Sequence, residues 1–284
     1  MSIPNLASLT MHPRRDLTPN AVNGVYCLDS LDDLSKCDSS VIIIRKALEL
    51  TKEETQALDD FMSDDAKVAP TPNPMNSKTN LLRKQVTFGA SYNFGQKNPS
   101  ILTQVGEWPV AVQKALEYGK RVAIEKGIAS ELYNGVHANL YPHGAAGVAA
   151  HSDSEVDLVK GLPILSFTLL NGDMKPRPFT IYRPQTGPER EEQLRAWNVK
   201  VEGDKLVGKK GPSKPSPLPI PIANVVLGHG DLIIMQGRMQ DLFKHGIEPA
   251  KPPKDFKNAR RLNLTVRAFK PEATQQSSKR AKNK

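Results

Sequence analysis

The chain has 284 residues, a formal charge of +9 and 38% hydrophobic residues, with 23 prolines and two cysteines. That length holds one large domain or two small ones with a real core, the prolines exclude a helical bundle in favour of short strands and turns, and the low apolar content leaves part of the chain to loops or tails. The basic balance points to an anionic partner, nucleic acid first; Cys27 and Cys37 fit no zinc pattern and read as reduced thiols; and with no membrane-length apolar run and a polar, proline-broken N-terminus, a soluble intracellular monomer is expected, nuclear if the cell has a nucleus.

Residues 1–38 read as irregular. "SSVIIIRKALEL" (39–50) reads as a buried strand. "TKEETQALDDFMS" (51–63) has Thr51 and Glu54 at capping-box spacing and Leu58 and Phe61 on one face, so the spacing predicts a helix. Residues 64–78 read as a loop, and "RKQVTFGASYNFG" (83–95) as strands and a turn. The longest helix is predicted over 108–127, with Pro109 in its first turn and Gly127 at its stop. Short alternating strands follow at 135–141, 162–170, 177–183, 231–235 and 261–269, a pattern of sandwiches, barrels and jelly rolls. A polar insert is expected over 184–222, with a hairpin turning near Gly203 and Asp204, and the tail "QQSSKRAKNK" is too polar to fold alone.

His151 and Asp153 supply an imidazole and a carboxylate two residues apart, on one face if the segment is extended. Two His and one carboxylate on one side of a metal make the non-haem Fe(II) site, so a third ligand is needed from His12, His137, His143, His229 or His245. His245, in "FKHGIEP", follows a strand and a turn that a jelly roll would bring back over the pair. In "RLNLTVRAF" (261–269), Arg261, Asn263, Thr265 and Arg267 alternate with Leu262, Leu264 and Val266, so one face of the strand carries two guanidiniums and an amide. Two inward arginines call for an anion, and a dicarboxylate would meet both. In "HANLY", His137, Asn139 and Tyr141 share a face in the same way. His137 is either a further polar group of that pocket or a satisfied core histidine.

With these motifs in order ("RKQVTFGASYNFG", "NLYPHG", "HSDSE", "PILSFTL", "RPFTIYR", "HGDLIIMQG", "KHGIEP", "RLNLTVRAF"), residues 83–269 resemble the AlkB family of Fe(II)/2-oxoglutarate dioxygenases, in its DNA-repair branch of the human AlkB homologue 2 type. The resemblance implies an α+β, mainly β fold: a double-stranded β-helix (jelly roll) with N-terminal helices packed on one sheet. The organisation expected from it is an N-terminal extension over 1–80, whose strand and helix pack on the core, a dioxygenase domain over 81–270 and a basic disordered tail over 271–284. It selects His151, Asp153 and His245 as iron ligands, with Asp153 essential to catalysis. It gives Asn139, Tyr141, Arg261, Asn263 and Arg267 to 2-oxoglutarate, and implies Fe(II), 2-oxoglutarate and O2 as cofactor and cosubstrates. His229, just before a strand, falls at a structural place in the family.

The implied activity is oxidative N-demethylation of alkylated bases in DNA or RNA, of the 1-methyladenine and 3-methylcytosine type, with release of formaldehyde and succinate. Tyr92 and Phe94 match the lid that stacks on a flipped base, and Glu155 an acid that reads the base edge; a carboxylate suits a base made cationic by methylation. Arg83 and Lys84 precede the lid, and Lys200, Lys205, Lys209, Lys210 and Lys214 lie in the insert, as cations for the strand backbone. The insert lengthens the spacing from His151 to His245 beyond that of compact members. Two alternatives stand beside this reading: an oxygenase acting on RNA or on a protein side chain, and a basic nucleic-acid-binding jelly roll without activity.

Overall fold

The computed structural model describes residues 5–73, 76–90, 103–104, 107–153, 157–172, 174–194, 217–250 and 260–271. Nine strands form the larger sheet, in the spatial order β1 (Met11–His12), β2 (Gly24–Cys27), β3 (Ser39–Ile44), β13 (Leu232–Gly237), β10 (Ile164–Leu169), β15 (Arg261–Ala268), β8 (Tyr133–Tyr141), β6 (Lys84–Phe88) and β7 (Thr103–Gln104). Facing it is a sheet of four: β12 (Ile220–Val226), β11 (Pro178–Arg183), β14 (Lys244–Ile247) and β9 (Val148–His151). This is the jelly roll, mainly β, expected from the sequence. A separate two-stranded ladder, β4 (Pro72–Asn73) with β5 (Asn76–Asn80), occupies the segment read as a loop.

Two helices cover the outer face of the larger sheet. Helix α1 (Lys52–Ser63) starts at the capping box: Thr51 Oγ1 accepts from Glu54 N at 3.2 Å and Glu54 Oε2 from Thr51 N at 3.0 Å. Helix α2 (Val110–Glu125) has Pro109 as its N-cap, and Gly127 beyond its end takes φ +66°, which only glycine adopts without strain. Gly119 lets α2 approach the sheet closely, because a Cβ there would stand 2.7 Å from Val266 Cγ1. Among the described residues no helix is long and apolar enough to cross a membrane.

The period-2 pattern of the central strands divides the interior into two regions. Leu262, Leu264 and Val266 join Ala138, Leu140, Leu165 and Phe167 beneath the helices, against Leu58, Met62, Ala115 and Val122. Between the sheets, Val41, Ile43, Ile233 and Met235 meet Phe179, Ile181, Val225 and Ile247. A strand buried on both faces shows a continuous apolar run, which is why "VIII" in β3 carries no alternation.

Four sequence expectations are corrected. Residues 1–38, read as irregular, contribute β1 and β2 to the larger sheet. The strand read over 39–50 ends at Ile44, where Lys46 takes φ +52°. The expected insert at 184–222 opens with a helix over 187–194 and closes inside β12, an edge strand where Pro221 removes no ladder donor that the sheet needs. The long-helix reading over 108–127 contracts to 110–125. The hairpin near Gly203 and Asp204 and the C-terminal tail beyond 271 lie outside the described residues.

Candidate metal centre

Four neighbouring strands of the larger sheet turn a polar face toward the smaller sheet. Arg83, just before β6, and Gln85 on it face inward; β8 contributes His137, Asn139 and Tyr141, β15 Arg261, Asn263, Thr265 and Arg267, and β10 Ser166. Thr87 of β6 backs His137, its Oγ1 3.1 Å from His137 Nδ1. The register aligns them in rows across the sheet: Gln85 opposite Asn139 opposite Asn263 opposite Thr168, and Thr87 opposite His137 opposite Thr265 opposite Ser166. Hydrogen bonds run both along the rows and between them. Gln85 Nε2 donates to Asn139 Oδ1 at 3.0 Å, and Asn263 Nδ2 donates to Ser166 Oγ and Phe167 O at 2.8 Å each. This network, with Asn139 Nδ2 3.5 Å from Asn263 Oδ1, ties the floor of the cavity together.

The metal cluster hangs over this floor from the smaller sheet. His151, at the end of β9, is the cross-strand partner of His245 on β14. Asp153 follows two residues later, and its backbone N–H donates to Gln240 Oε1 at 2.8 Å from the short helix Met239–Leu242. The ligand atoms of His151, Asp153 and His245 all lie within 4.8 Å of one another. His151 Nε2 is 3.6 Å from Asp153 Oδ1, and His245 Nε2 is 3.9 Å from Asp153 Oδ2. Phe179 stacks on the His245 ring at 5.2 Å and 13°, which holds the imidazole plane. With Nδ1 of His151 donating to Ala149 O at 2.9 Å, its Nε2 is left as the free lone pair.

The charge states suit a cation. Burial pushes the Asp153 carboxyl up, but Arg267 foremost, then His245 and His151, outweigh it and hold the carboxyl well below its usual range. Arg267 Nη2 lies 2.8 Å from Asp153 Oδ1. Burial, with His151 next, brings His245 down to about 3, so it stays neutral with a lone pair to give. Asp153 is 5% exposed, and beyond the ion pair with Arg267 its oxygens have no hydrogen-bond partner among the described residues. A buried carboxylate between two imidazoles fits a divalent ion, and two His with one carboxylate is the open-sided Fe(II) set.

The space enclosed between the floor and the metal cluster is small, about 50 Å³, and is lined mainly by polar side chains. Beside the metal cluster it presents Arg261, which is 1% exposed; its Nη2 donates to Thr168 Oγ1 at 2.7 Å and its Nε has no partner among the described residues. Burial foremost brings the Arg261 guanidinium down to about 10, still charged at neutral pH. Asn139, Tyr141, Asn263 and Arg267 line the same space.

The profile of the 2OG-Fe(II) oxygenase superfamily matches residues 43–267. The chain belongs to this superfamily. Its members use Fe(II), 2-oxoglutarate and O2, and in this oxygenase His151, Asp153 and His245 would hold the iron. No curated protein matches the chain. A solved structure described as "The structure of OsALKBH1" is similar over 81% of this chain and 96% of that one, at 15% identity and a TM-score of 0.42.

The structure separates the other candidates. His12 stacks on Tyr26 at 4.9 Å, His229 Nδ1 accepts from Leu170 N at 3.2 Å, and neither they nor His143 join the metal cluster. His137 does both things its sequence position allowed: it lines the oxygenase cavity, and its ring nitrogens meet Thr87 Oγ1 at 3.1 Å and Gln85 Nε2 at 3.2 Å. Arg83 faces the cavity, with Nη1 donating to Gly147 O at 3.3 Å. Lys84 lies outside the cavity: alternation turns it to the other face of β6, where it pairs with Asp65 at 2.5 Å and donates to Ser63 O. Tyr92, Phe94 and Glu155 lie outside the described residues. Cys27, Asp29 and Cys37 form another convergent group, but Asp29 accepts from Ser39 N at 2.6 Å, and burial with the neighbouring Cys27 pushes the Cys37 thiol up to about 12.

Sequence reasoning missed two residues of the oxygenase site. Gln240, which anchors Asp153, sits on a four-residue helix too short to show periodicity. Arg177, buried near Tyr141, stands at the start of the strand read over 177–183, between two prolines, where nothing in the sequence marks it for a site.

Proposed function

We propose that this oxygenase is a nucleic-acid N-demethylase of the AlkB type, acting on 1-methyladenine- and 3-methylcytosine-like lesions in DNA repair and releasing formaldehyde, succinate and the restored base. The observation that carries the proposal is the position of β6. It puts Arg83 and Gln85 in the cavity lining, and past Phe88 the chain runs on into the sequence with Tyr92 and Phe94 that resembles the family's base-stacking lid. The +9 charge of the chain supports an anionic polymer as substrate. The resemblance of "HSDSE" places Glu155 as reader of the base edge.

Iron with 2-oxoglutarate and O2 supplies the oxidising power in this family. The chain's own residues do the rest. Arg261 offers its unpaired Nε–H and its charge to a carboxylate, while Asn139, held by Gln85, and Asn263, held by Ser166 and Phe167 O, keep the floor of the pocket from shifting. Arg267 holds Asp153 in its ligating, ionised form. Such fixed geometry keeps reacting groups in line, which is the protein's main contribution to a cofactor reaction.

The test is direct. The protein is incubated with Fe(II), 2-oxoglutarate and oligonucleotides of DNA and of RNA carrying 1-methyladenine or 3-methylcytosine, and formaldehyde and unmodified base are measured. Repair of methylated DNA is expected. Succinate formation without base repair on either polymer would refute the nucleic-acid assignment, and repair of RNA alone would replace DNA as the substrate.

A further inference from the structure

Arg177 is 3% exposed, yet no carboxylate among the described residues pairs with it. Its Nη2 donates to Glu248 O, while Nε and Nη1 have no partner among the described residues. Its guanidinium carbon lies 5.8 Å from the centre of the Tyr141 ring, and that of Arg261 lies 5.5 Å from the same ring. Two buried cations therefore attend one aromatic ring. The ring's electron-rich face offsets part of their desolvation, but not the repulsion between them. Asp153, the acid of the cavity, is taken up by Arg267 instead. Burial foremost lowers the affinity of Arg177 for its proton, as it does for Arg261, so both would gain from an anion close by.

Tyr141 and Arg261 line the cavity, whereas Arg177 reaches it through Tyr141. We propose that Arg177 is a positioning residue for the remote carboxylate of the cosubstrate: it holds the Tyr141 ring beside Arg261 and adds a second positive charge to that end of the cavity, so that the site selects a 2-oxo acid with a second carboxylate over one without it. The inference rests on the reading of this cavity as the 2-oxoglutarate pocket. Its physical content is the long reach of a charge in a water-poor interior: a cation one ring away still acts on an incoming carboxylate, but hardly on an uncharged chain end.

The experiment measures binding rather than turnover. With Mn(II) in place of Fe(II), dissociation constants are determined by calorimetry for 2-oxoglutarate and for 2-oxopentanoate, which has the same chain length and lacks the remote carboxylate. Arg177→Met should weaken 2-oxoglutarate by about tenfold or more and change 2-oxopentanoate by less than about twofold. Arg177→Lys, which keeps the charge, should recover most of the 2-oxoglutarate affinity, and guards against an Arg177→Met variant that fails to fold. Equal losses for both acids, or no loss for either, would overturn the inference while the pocket assignment stood. Wild-type protein that bound neither acid would overturn the pocket assignment itself and this inference with it.

Discussion

His151 and His245 are direct cross-strand partners on β9 and β14, and their ring centres stand 4.4 Å apart. The metal site is thus held by a strand pairing as much as by its ligands. Gly246 makes that pairing possible: a Cβ there would stand 2.8 Å from Val148 O and press on the β9 backbone. Gly246→Ala should force the two strands apart, at a stability cost of about 1–3 kcal/mol, and lower Fe(II) or Mn(II) affinity although no ligand is changed. His245→Ala should abolish metal binding with a smaller effect on melting. Metal titration of both variants checks this; unchanged affinity in Gly246→Ala would mean the strand pairing does not set the site.

Arg83 and Lys84 are neighbours in sequence and face opposite sides of β6. Arg83→Ala should lower turnover on methylated oligonucleotides and leave the 2-oxoglutarate dissociation constant unchanged. Lys84→Ala loses an ion pair with the exposed Asp65 and should alter stability by about 1 kcal/mol at most, with turnover intact. Steady-state assays of the two variants side by side make the comparison, and equal losses of turnover would contradict the face assignment.

Phe94 and Glu155 predict different phenotypes if both act on the base. Phe94→Ala should reduce activity on every methylated base by a similar factor, since stacking contributes about 1–3 kcal/mol whatever the base. Glu155→Ala should harm cationic substrates most and 3-methylthymine least. Succinate formation without nucleic acid should survive both changes. Loss of that uncoupled turnover in either variant would assign its side chain to the iron or cosubstrate instead.

Helix α1 depends on its capping box, and Glu54 also accepts from Lys114 Nζ of α2 at 2.6 Å. Thr51→Ala should cost about 1 kcal/mol. Lys114, then the Thr51 backbone, hold the Glu54 carboxyl below its usual range. A carboxyl so lowered stabilises the fold above the unfolded-state value, about 4.3 for Glu, and that stabilisation is lost as pH falls through the folded-state value. Melting curves from pH 7 to pH 3 should show the advantage of wild type over Glu54→Gln shrinking in acid. A constant difference across that range would exclude the linkage.

Much of this site is legible in the sequence because a β-strand writes its two faces at alternate positions. Arg261, Asn263, Thr265 and Arg267 separate from Leu262, Leu264 and Val266 by counting alone, and the structure puts the first set in the cavity and the second under the helices. The third metal ligand is a different matter. Choosing His245 among five histidines requires knowing which strand returns beside β9, and only the resemblance or the fold supplies that long-range pairing. Arg177 opens the strand read over 177–183, but its reach toward Tyr141 depends on which strand lies beside β11, which the sequence does not write. The boundary of the insert failed for a related reason, since Pro219 and Pro221 disguise an edge strand as loop.

Arg260 lies next to Arg261, and its Nε donates to Asp59 Oδ1 of α1 at 3.0 Å. The N-terminal third of the chain is therefore fastened to the first residues of β15, while β3 lies along the whole length of β13. Trimming the protein toward a minimal enzyme meets two distinct penalties. Cutting away β3 would bare the Leu232–Gly237 edge, a row of unpaired amides and carbonyls ready to recruit other chains, and the expected product is a precipitate rather than a smaller catalyst. Cutting further, past Asp59, would also untie the strand that presents Arg261, so a shortened chain kept in solution by a fusion partner should show poor cosubstrate binding even with all three iron ligands in place.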